Sequence, residues 1–223
     1  MTNSIKERLH IHDNTSEIKT LIFDFGGVLI DLDKERSIEN FKKLGVEGID
    51  ELLSFWCQKG FFLLFEEGKI STRDFLDEIK KMSTRNISDE DIKAAFFSFL
   101  IDLPRYKLDL IARLRPHYQI FLLSNINELI YNYCLEQYFH AYHTKIENYF
   151  DKIYLSFQMN VCKPKKEIYQ QLIQDSGIIP EETLFLEDGS ENIAVAQSMG
   201  INTFLALPKE DFTPLFDIPL LKP

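Results

Sequence analysis

The chain has 223 residues, enough for one large domain or a domain carrying a smaller insert, and enough to bury a sizeable core. Hydrophobic residues make up 45%, which argues against a disordered chain, and no run approaches the roughly 20 apolar residues that a membrane helix requires. The formal net charge of −10 repels a phosphate backbone, so nucleic acid is not expected as a partner, although small anions can bind locally. Cys57, Cys134 and Cys162 form no CxxC pair and suit a reducing compartment. MTNSIKERLHIHDNTSE contains no apolar segment of secretory length, so a cytoplasmic, soluble protein is expected.

Residues 1–17 are polar and predict a flexible or loosely packed extension. The first strand candidate, TLIFD, ends in Asp24; QIFLLS, KIYLS, TLFLE and NTFLAL follow. Continuous apolar runs of this length suit strands buried on both faces, as in a parallel sheet covered by helices. Between the first and second runs lie about ninety residues with no strand pattern, more than one crossover helix needs. They predict an inserted helical unit at Lys34–Leu103, with helices over Lys34–Leu44, Ile49–Cys57, Ser71–Met82 and Ser88–Leu100. STRD and SDED read as capping boxes with Asp in the last position. Arg105–Pro116 leads back into the sheet. KPKKEIYQQLIQDSG, with proline in its first turn and Gly177 at its end, and SENIAVAQSMG, with Ser190 as N-cap and Gly200 as stop, read as crossover helices. The expected fold is α/β, a doubly wound, Rossmann-like parallel sheet of residues 18–33 and 104–207 with a small all-helical cap at 34–103. Residues 208–223 form a tail whose Phe212, Leu215, Phe216, Leu220 and Leu221 can pack on the core or on a second subunit, so monomer and homodimer both stay open.

Ligands of open parallel sheets bind beyond the carboxyl ends of the strands. There the runs place Asp24, then Ser124 and Asn125, then Lys163, then Glu187 and Asp188. Taken singly, each is a turn former, a helix cap or a solvated side chain. Together they fit one task. A carboxylate can attack phosphorus and split a hard hydrolysis into two steps, which makes Asp24 the nucleophile candidate. Attack of one anion on another needs charge neutralisation. Mg²⁺ takes oxygen ligands, here Asp24, Glu187, Asp188 and a backbone carbonyl, while Lys163 and Ser124 can hold phosphoryl oxygens. Gly26 and Gly27 let backbone amides approach the same anion.

FDFGGVL, LLSN, CKPKKEIY and FLEDGSEN resemble the four motifs of the haloacid dehalogenase (HAD) superfamily of aspartate-nucleophile hydrolases, from Ile18 to Leu207. KPKKEIYQ, EEGKIS in the insert and DGSENI look most like its α-D-glucose-1-phosphate phosphatase branch. The resemblance implies Asp24 as nucleophile, phosphate binding by Ser124, Asn125 and Lys163, Mg²⁺ on Asp24, Asp188, Glu187 and the Gly26 carbonyl, and a small phosphorylated metabolite as substrate. It also implies that the insert is a C1-type lid that closes over the substrate and excludes water.

One motif position departs from the pattern. Where phosphatases of the superfamily usually carry a second Asp to protonate the leaving oxygen, this chain has Gly26. A general acid is worth roughly 10² to 10⁴ in rate, so a good leaving group such as an anomeric oxygen suits its loss. A metal-independent 2-haloacid dehalogenase also survives that loss but leaves Glu187 and Asp188 without a role; a weakly active binding or regulatory module leaves the nucleophile, lysine and acids without one. In the insert, Arg36 and the aromatic-rich WCQKGFFLLFEEG segment are candidate substrate contacts, against ordinary readings as a solvated helix residue and a cap core. Asp31 and Asp33 are expected to cap the first cap helix or line the entrance. His140 and His143 lack the spacing of a zinc site.

Overall fold

The computed structural model describes residues 2–15, 17–50 and 60–222. Residues 51–59, which hold most of the helix expected over Ile49–Cys57 together with Trp56 and Cys57, lie outside the described residues.

A six-stranded sheet forms the centre, built from β1 (Leu9–His10), β2 (Thr20–Phe23), β5 (Gln119–Ser124), β6 (Lys152–Leu155), β7 (Thr183–Glu187) and β8 (Asn202–Leu205) in the order β1-β8-β7-β2-β5-β6. β2 runs parallel to β5 on one side and to β7 on the other, and all four of its residues are buried. After β6 the chain crosses to the far side of β2. The strand order therefore reverses at β2, and its carboxyl end is the crevice of the sheet.

Strand alternation divides the apolar residues between two faces. Leu21, Phe23, Ile120, Leu122, Leu184 and Leu186 belong to the larger of two clusters, and Ile22, Phe121, Leu123 and Phe185 to the smaller. The smaller cluster is closed by the helices Lys166–Ser176 and Ser190–Ser198, through Ile168, Tyr169, Leu172 and Ala196. The larger is closed by helix Arg105–Leu114 and the tail, where Phe212, Leu215, Phe216 and Leu221 are buried against the chain's own core.

The segment between β2 and β5 contains the helices α2 (Lys34–Lys43), α3 (Gly60–Glu66), α4 (Thr72–Met82) and α5 (Asp89–Phe97). Both capping boxes form: the Ser71 and Ser88 hydroxyls accept from the amides of Asp74 and Asp91, whose carboxylates accept from the serine amides. Asp33 caps α2 through the Arg36 amide. The rings of Phe65 and Phe75 stack at 4.4 Å, and Phe62 and Phe96 join them in a core belonging to the insert itself.

Four expectations are corrected. The N-terminal extension is not loose: β1 pairs antiparallel with β8, Ile5 is buried, and Arg8 lies over the Phe204 ring while it ion-pairs with Glu210. Asn202 adds a clamp by accepting from the His12 amide at 2.8 Å. These partners lie far along the chain, so no local pattern announces them. Second, the stretch between β2 and β5 does contain strands. β3 (Asp31–Leu32) and β4 (Leu100–Asp102), at the entrance to and the exit from the insert, form an antiparallel ribbon too short to show alternation. Third, Ser190 is the first helical residue rather than an N-cap; Gly189 holds that place without a side-chain bond. Fourth, Pro164 precedes the helix, whose N-cap is Lys165.

Lys107 in helix Arg105–Leu114 is fully buried, and its ammonium donates to the Val28 carbonyl at 2.8 Å and to Asp31 at 2.9 Å. It ties β3, and with it the entrance to the insert, to the core; the partner of Asp31 is thus a lysine rather than a helix terminus. Removing one member of such a pair strands the other, so Lys107→Met should cost about 3 kcal/mol in urea denaturation. A loss below about 1 kcal/mol would mean that the pair contributes no more than a surface ion pair.

Candidate active site

Asp24 follows β2 directly and remains in register with the sheet, its amide donating to the Leu186 carbonyl at 2.9 Å. Beyond it the chain coils tightly: the Leu29 and Ile30 amides both donate to the Phe25 carbonyl, and the Gly27 amide donates to Ile30. Gly27 has φ +79°, and a Cβ there would stand 2.0 Å from Asp188 Oδ2. Glycine at this position lets the Asp188 carboxyl pack against the loop that follows Asp24.

Lys163 is the centre of the arrangement. Its Nζ lies 2.9 Å from Asp24 Oδ1 and donates to Glu187 Oε2 at 2.6 Å and to the Leu123 carbonyl at 3.1 Å. Asn125 fixes the lysine's backbone from both sides, accepting from the Lys163 amide and donating to its carbonyl, each at 2.8 Å. Asn125 thus acts on the site through Lys163. Glu187 Oε1 accepts from the Asp188 and Gly189 amides at 3.1 and 2.8 Å, and the Asn192 side chain helps to hold the same carboxylate.

Asp24, Gly26, Ser124, Asn125, Lys163, Glu187 and Asp188 all line one cavity of about 520 Å³, roofed by Phe96, Phe99 and Leu100 of the insert and its exit strand. Arg36 does not: it is exposed and absent from the lining, whereas Lys34, two residues earlier at the start of α2, reaches the cavity. Phe62 and Phe65 are core residues of the insert and not part of the wall. Besides Lys34, the sequence reading missed Asn127, and within the described part of the WCQKGFFLLFEEG segment it is the acid Glu66 rather than the aromatic residues that reaches the cavity. Glu66 stands in the EEGKIS stretch already singled out; Asn127, also the N-cap of helix Glu128–Cys134, had no distinguishing signal.

The charges are unbalanced. Burial, then Glu187, push the Asp24 carboxyl well above the usual range despite Lys163. Burial and Glu187 push Asp188 up to about 7. Burial also acts against ionisation of Glu187, but Lys163 and the Gly189 amide outweigh it and hold that carboxyl below its ordinary value. Burial alone would lower Lys163; Asp24 and Glu187 reverse this and keep the ammonium charged. One carboxylate oxygen from each of Asp24, Glu187 and Asp188 lies within 4.8 Å of the others. Three carboxylates against one ammonium, all oxygen donors, fit a hard divalent cation. Glu187 already receives protein donors on both oxygens, so Asp24 and Asp188 are the better placed direct ligands.

The fold and this carboxylate-centred crevice define a doubly wound α/β protein with an aspartate at the switch point of the sheet and a site fit for a hard divalent cation. The chain belongs to the haloacid dehalogenase-like hydrolase family, whose model matches residues 18–200. It is 38% identical over 187 residues to the D-ribitol-5-phosphate phosphatase of Bacteroides thetaiotaomicron, covering 84% of this chain and 91% of that protein. Among solved structures, a HAD family enzyme from the same organism, in complex with magnesium and inorganic phosphate, superposes with a TM-score of 0.83 at 45% identity over 89% of this chain and 99% of the other. A HAD-like family hydrolase from Porphyromonas gingivalis gives 0.85 at 36% identity over 93% and 100%. Among the described residues, no helix is long and apolar enough to cross a membrane.

Because Asp188 holds its proton up to about pH 7 and the Asp24 carboxyl is raised as well, a divalent cation has to displace protons below this value, and its affinity should fall by about tenfold or more per pH unit there. Titration calorimetry at pH 5.5 to 8.5 reads this directly, and a flat profile would show that Asp188 takes no part in cation binding. Gly27→Ala should weaken the same affinity at every pH, because the new methyl displaces the Asp188 carboxyl.

Proposed function

We propose that the chain is a Mg²⁺-dependent phosphatase that hydrolyses the phosphomonoester of a small sugar or sugar alcohol through an aspartyl-phosphate on Asp24. The observation that carries this reading is the convergence of Asp24, Ser124, Lys163, Glu187 and Asp188 on one cavity at the switch point of the sheet. The names of the similar proteins, a sugar-alcohol phosphate phosphatase and an enzyme bound to magnesium and phosphate, support it.

In this reading Asp24 Oδ2 attacks phosphorus, since Oδ1 is taken up by Lys163 and the Phe25 amide. The P–O bond to the leaving group breaks and its electron pair leaves with the alkoxide, which takes a proton from solvent. Water then attacks the aspartyl-phosphate, regenerating Asp24 and releasing phosphate. Lys163 and the Ser124 hydroxyl hold the phosphoryl oxygens. Asn125 keeps Lys163 in place. Asp24 and Asp188, with the Gly26 carbonyl and with Glu187 behind them, would hold Mg²⁺, whose positive charge would let one anion approach another. Protonation by solvent fits Gly26, which offers no acid. The finer placement with the glucose-1-phosphate phosphatases rests on motif resemblance alone, and the related D-ribitol-5-phosphate phosphatase favours a polyol phosphate ester.

Phosphate release from a panel of sugar and sugar-alcohol phosphates, with Mg²⁺ and with chelator, tests the reading. Asp24→Asn should lower turnover by a factor on the order of 10³ or more while leaving the fold intact. Retained turnover would refute the nucleophile assignment. At Gly26 a Cβ meets only the Leu32 Cδ1 methyl, at 3.2 Å, so a side chain needs a small shift of that leucine. Gly26→Asp should therefore raise turnover of alkyl phosphates about tenfold or more relative to p-nitrophenyl phosphate, whose leaving group needs no proton. A fall on both substrates would mean that the site is built around glycine.

A further inference from the structure

The insert is tied to the core at one edge of the cavity, immediately beside the segment that carries Lys163. Glu67, just past α3, has a side chain that is only 2% exposed, and a buried carboxylate requires a partner. It has two: Lys69 at 2.6 Å, from the insert itself, and Lys165 at 2.5 Å, from the core. Both lysine side chains are about half exposed, so the carboxylate is the desolvated member of each pair. Two further links flank it. Ser156 accepts from the Ile126 amide at 2.9 Å and donates to the Glu66 carbonyl at 2.7 Å. Gly68, with φ +64°, lies so close to the core that a Cβ would stand 2.2 Å from the Phe157 carbonyl oxygen. An ion pair, a hydrogen bond and a backbone contact thus hold three consecutive residues of the insert on the core.

Glu66, the first of the three, lines the cavity above the nucleophile. Burial pushes the Cys162 thiol, next to Lys163, up to about 12, and the charge of the Glu66 carboxylate adds to this. We propose that Glu67 and Lys165 form a clasp that holds Glu66 against the part of the substrate beyond the phosphoryl group, where its carboxylate accepts hydrogen bonds from hydroxyls of a polyol chain. Glu67 and Lys165 are then positioning residues and Glu66 a specificity residue. The inference rests on the phosphatase reading for the identity of the ligand. Lys69 keeps Glu67 paired when Lys165 is removed, so the clasp can be opened without stranding a buried charge.

The test uses the full chain carrying Asp24→Asn, with Mg²⁺, and compares calorimetric binding of D-ribitol 5-phosphate and inorganic phosphate. Phosphate reads the core alone; the polyol ester reads core and insert together. Lys165→Met and Glu66→Gln should each weaken the polyol ester by about tenfold, the worth of a hydrogen bond to a charged group, and leave inorganic phosphate unchanged. Lys165→Arg should restore binding, and the combined change should cost less than the product of the two single effects. Equal weakening of both ligands, no weakening of either, or a parent that binds the polyol ester no more tightly than phosphate would overturn the proposal. Failure of the phosphatase reading itself has a separate signature: no phosphate release by the wild-type chain that depends on both Mg²⁺ and Asp24.

Discussion

Lys163 is fully buried with its ammonium between the carboxylates of Asp24 and Glu187, and the site is organised around that contact. Charges taken out of water are tolerated only when their geometry and hydrogen bonds are well satisfied. Lys163 meets that condition through two acids, the Leu123 carbonyl and an Asn125 side chain that grips its backbone in both directions. These partners stand at or just beyond the carboxyl ends of three strands, β2, β5 and β7. Sheet register and active-site geometry are therefore one constraint: a shift of β7 relative to β2 would move Glu187 away from Lys163 and disturb the Asp24 amide bond to Leu186 at the same time.

The same contact explains why the site favours a cation and an anionic substrate together. Lys163 offsets part of the charge of Asp24 and Glu187, and Asp188 adds a third carboxylate packed against Gly27. A divalent cation offsets the negative charge that Lys163 leaves, so that an anionic group can then approach Asp24, which fits the hydrolase family to which the chain belongs. In the proposed reaction Gly26 offers no acid to the leaving group but leaves the surrounding charges in place, so the leaving oxygen would take its proton from solvent.

The insert supplies the remaining wall. Its aromatic contacts, built around Phe62, Phe65, Phe75 and Phe96, pack its helices together, and the β3–β4 ribbon with Lys107 fixes where it leaves and rejoins the sheet. The insert, anchored at its stem and again at Glu67, walls the cavity beyond Asp24, where Lys34 and Glu66 join the lining.

The amino-acid order alone determined the strands that matter most, because parallel strands buried on both faces must be continuous apolar runs, and the polar residues that end those runs stand out against them. That Asp24, Ser124, Glu187 and Asp188 gather at one sheet edge was legible for that reason and Lys163 from the CKPKKEIY stretch, while the capping boxes at Ser71 and Ser88 were legible because their partners lie three residues away. Only the tertiary structure decided what depends on distant partners. The clamping of β1 by Asn202 and Glu210, the pairing of Asp31 with Lys107, the choice of Lys34 over Arg36 as the cavity residue and the bridge from Glu67 to Lys165 all join residues by packing rather than by spacing. A local pattern carries the period of a helix or strand but not which face will meet a neighbour nearly two hundred residues away.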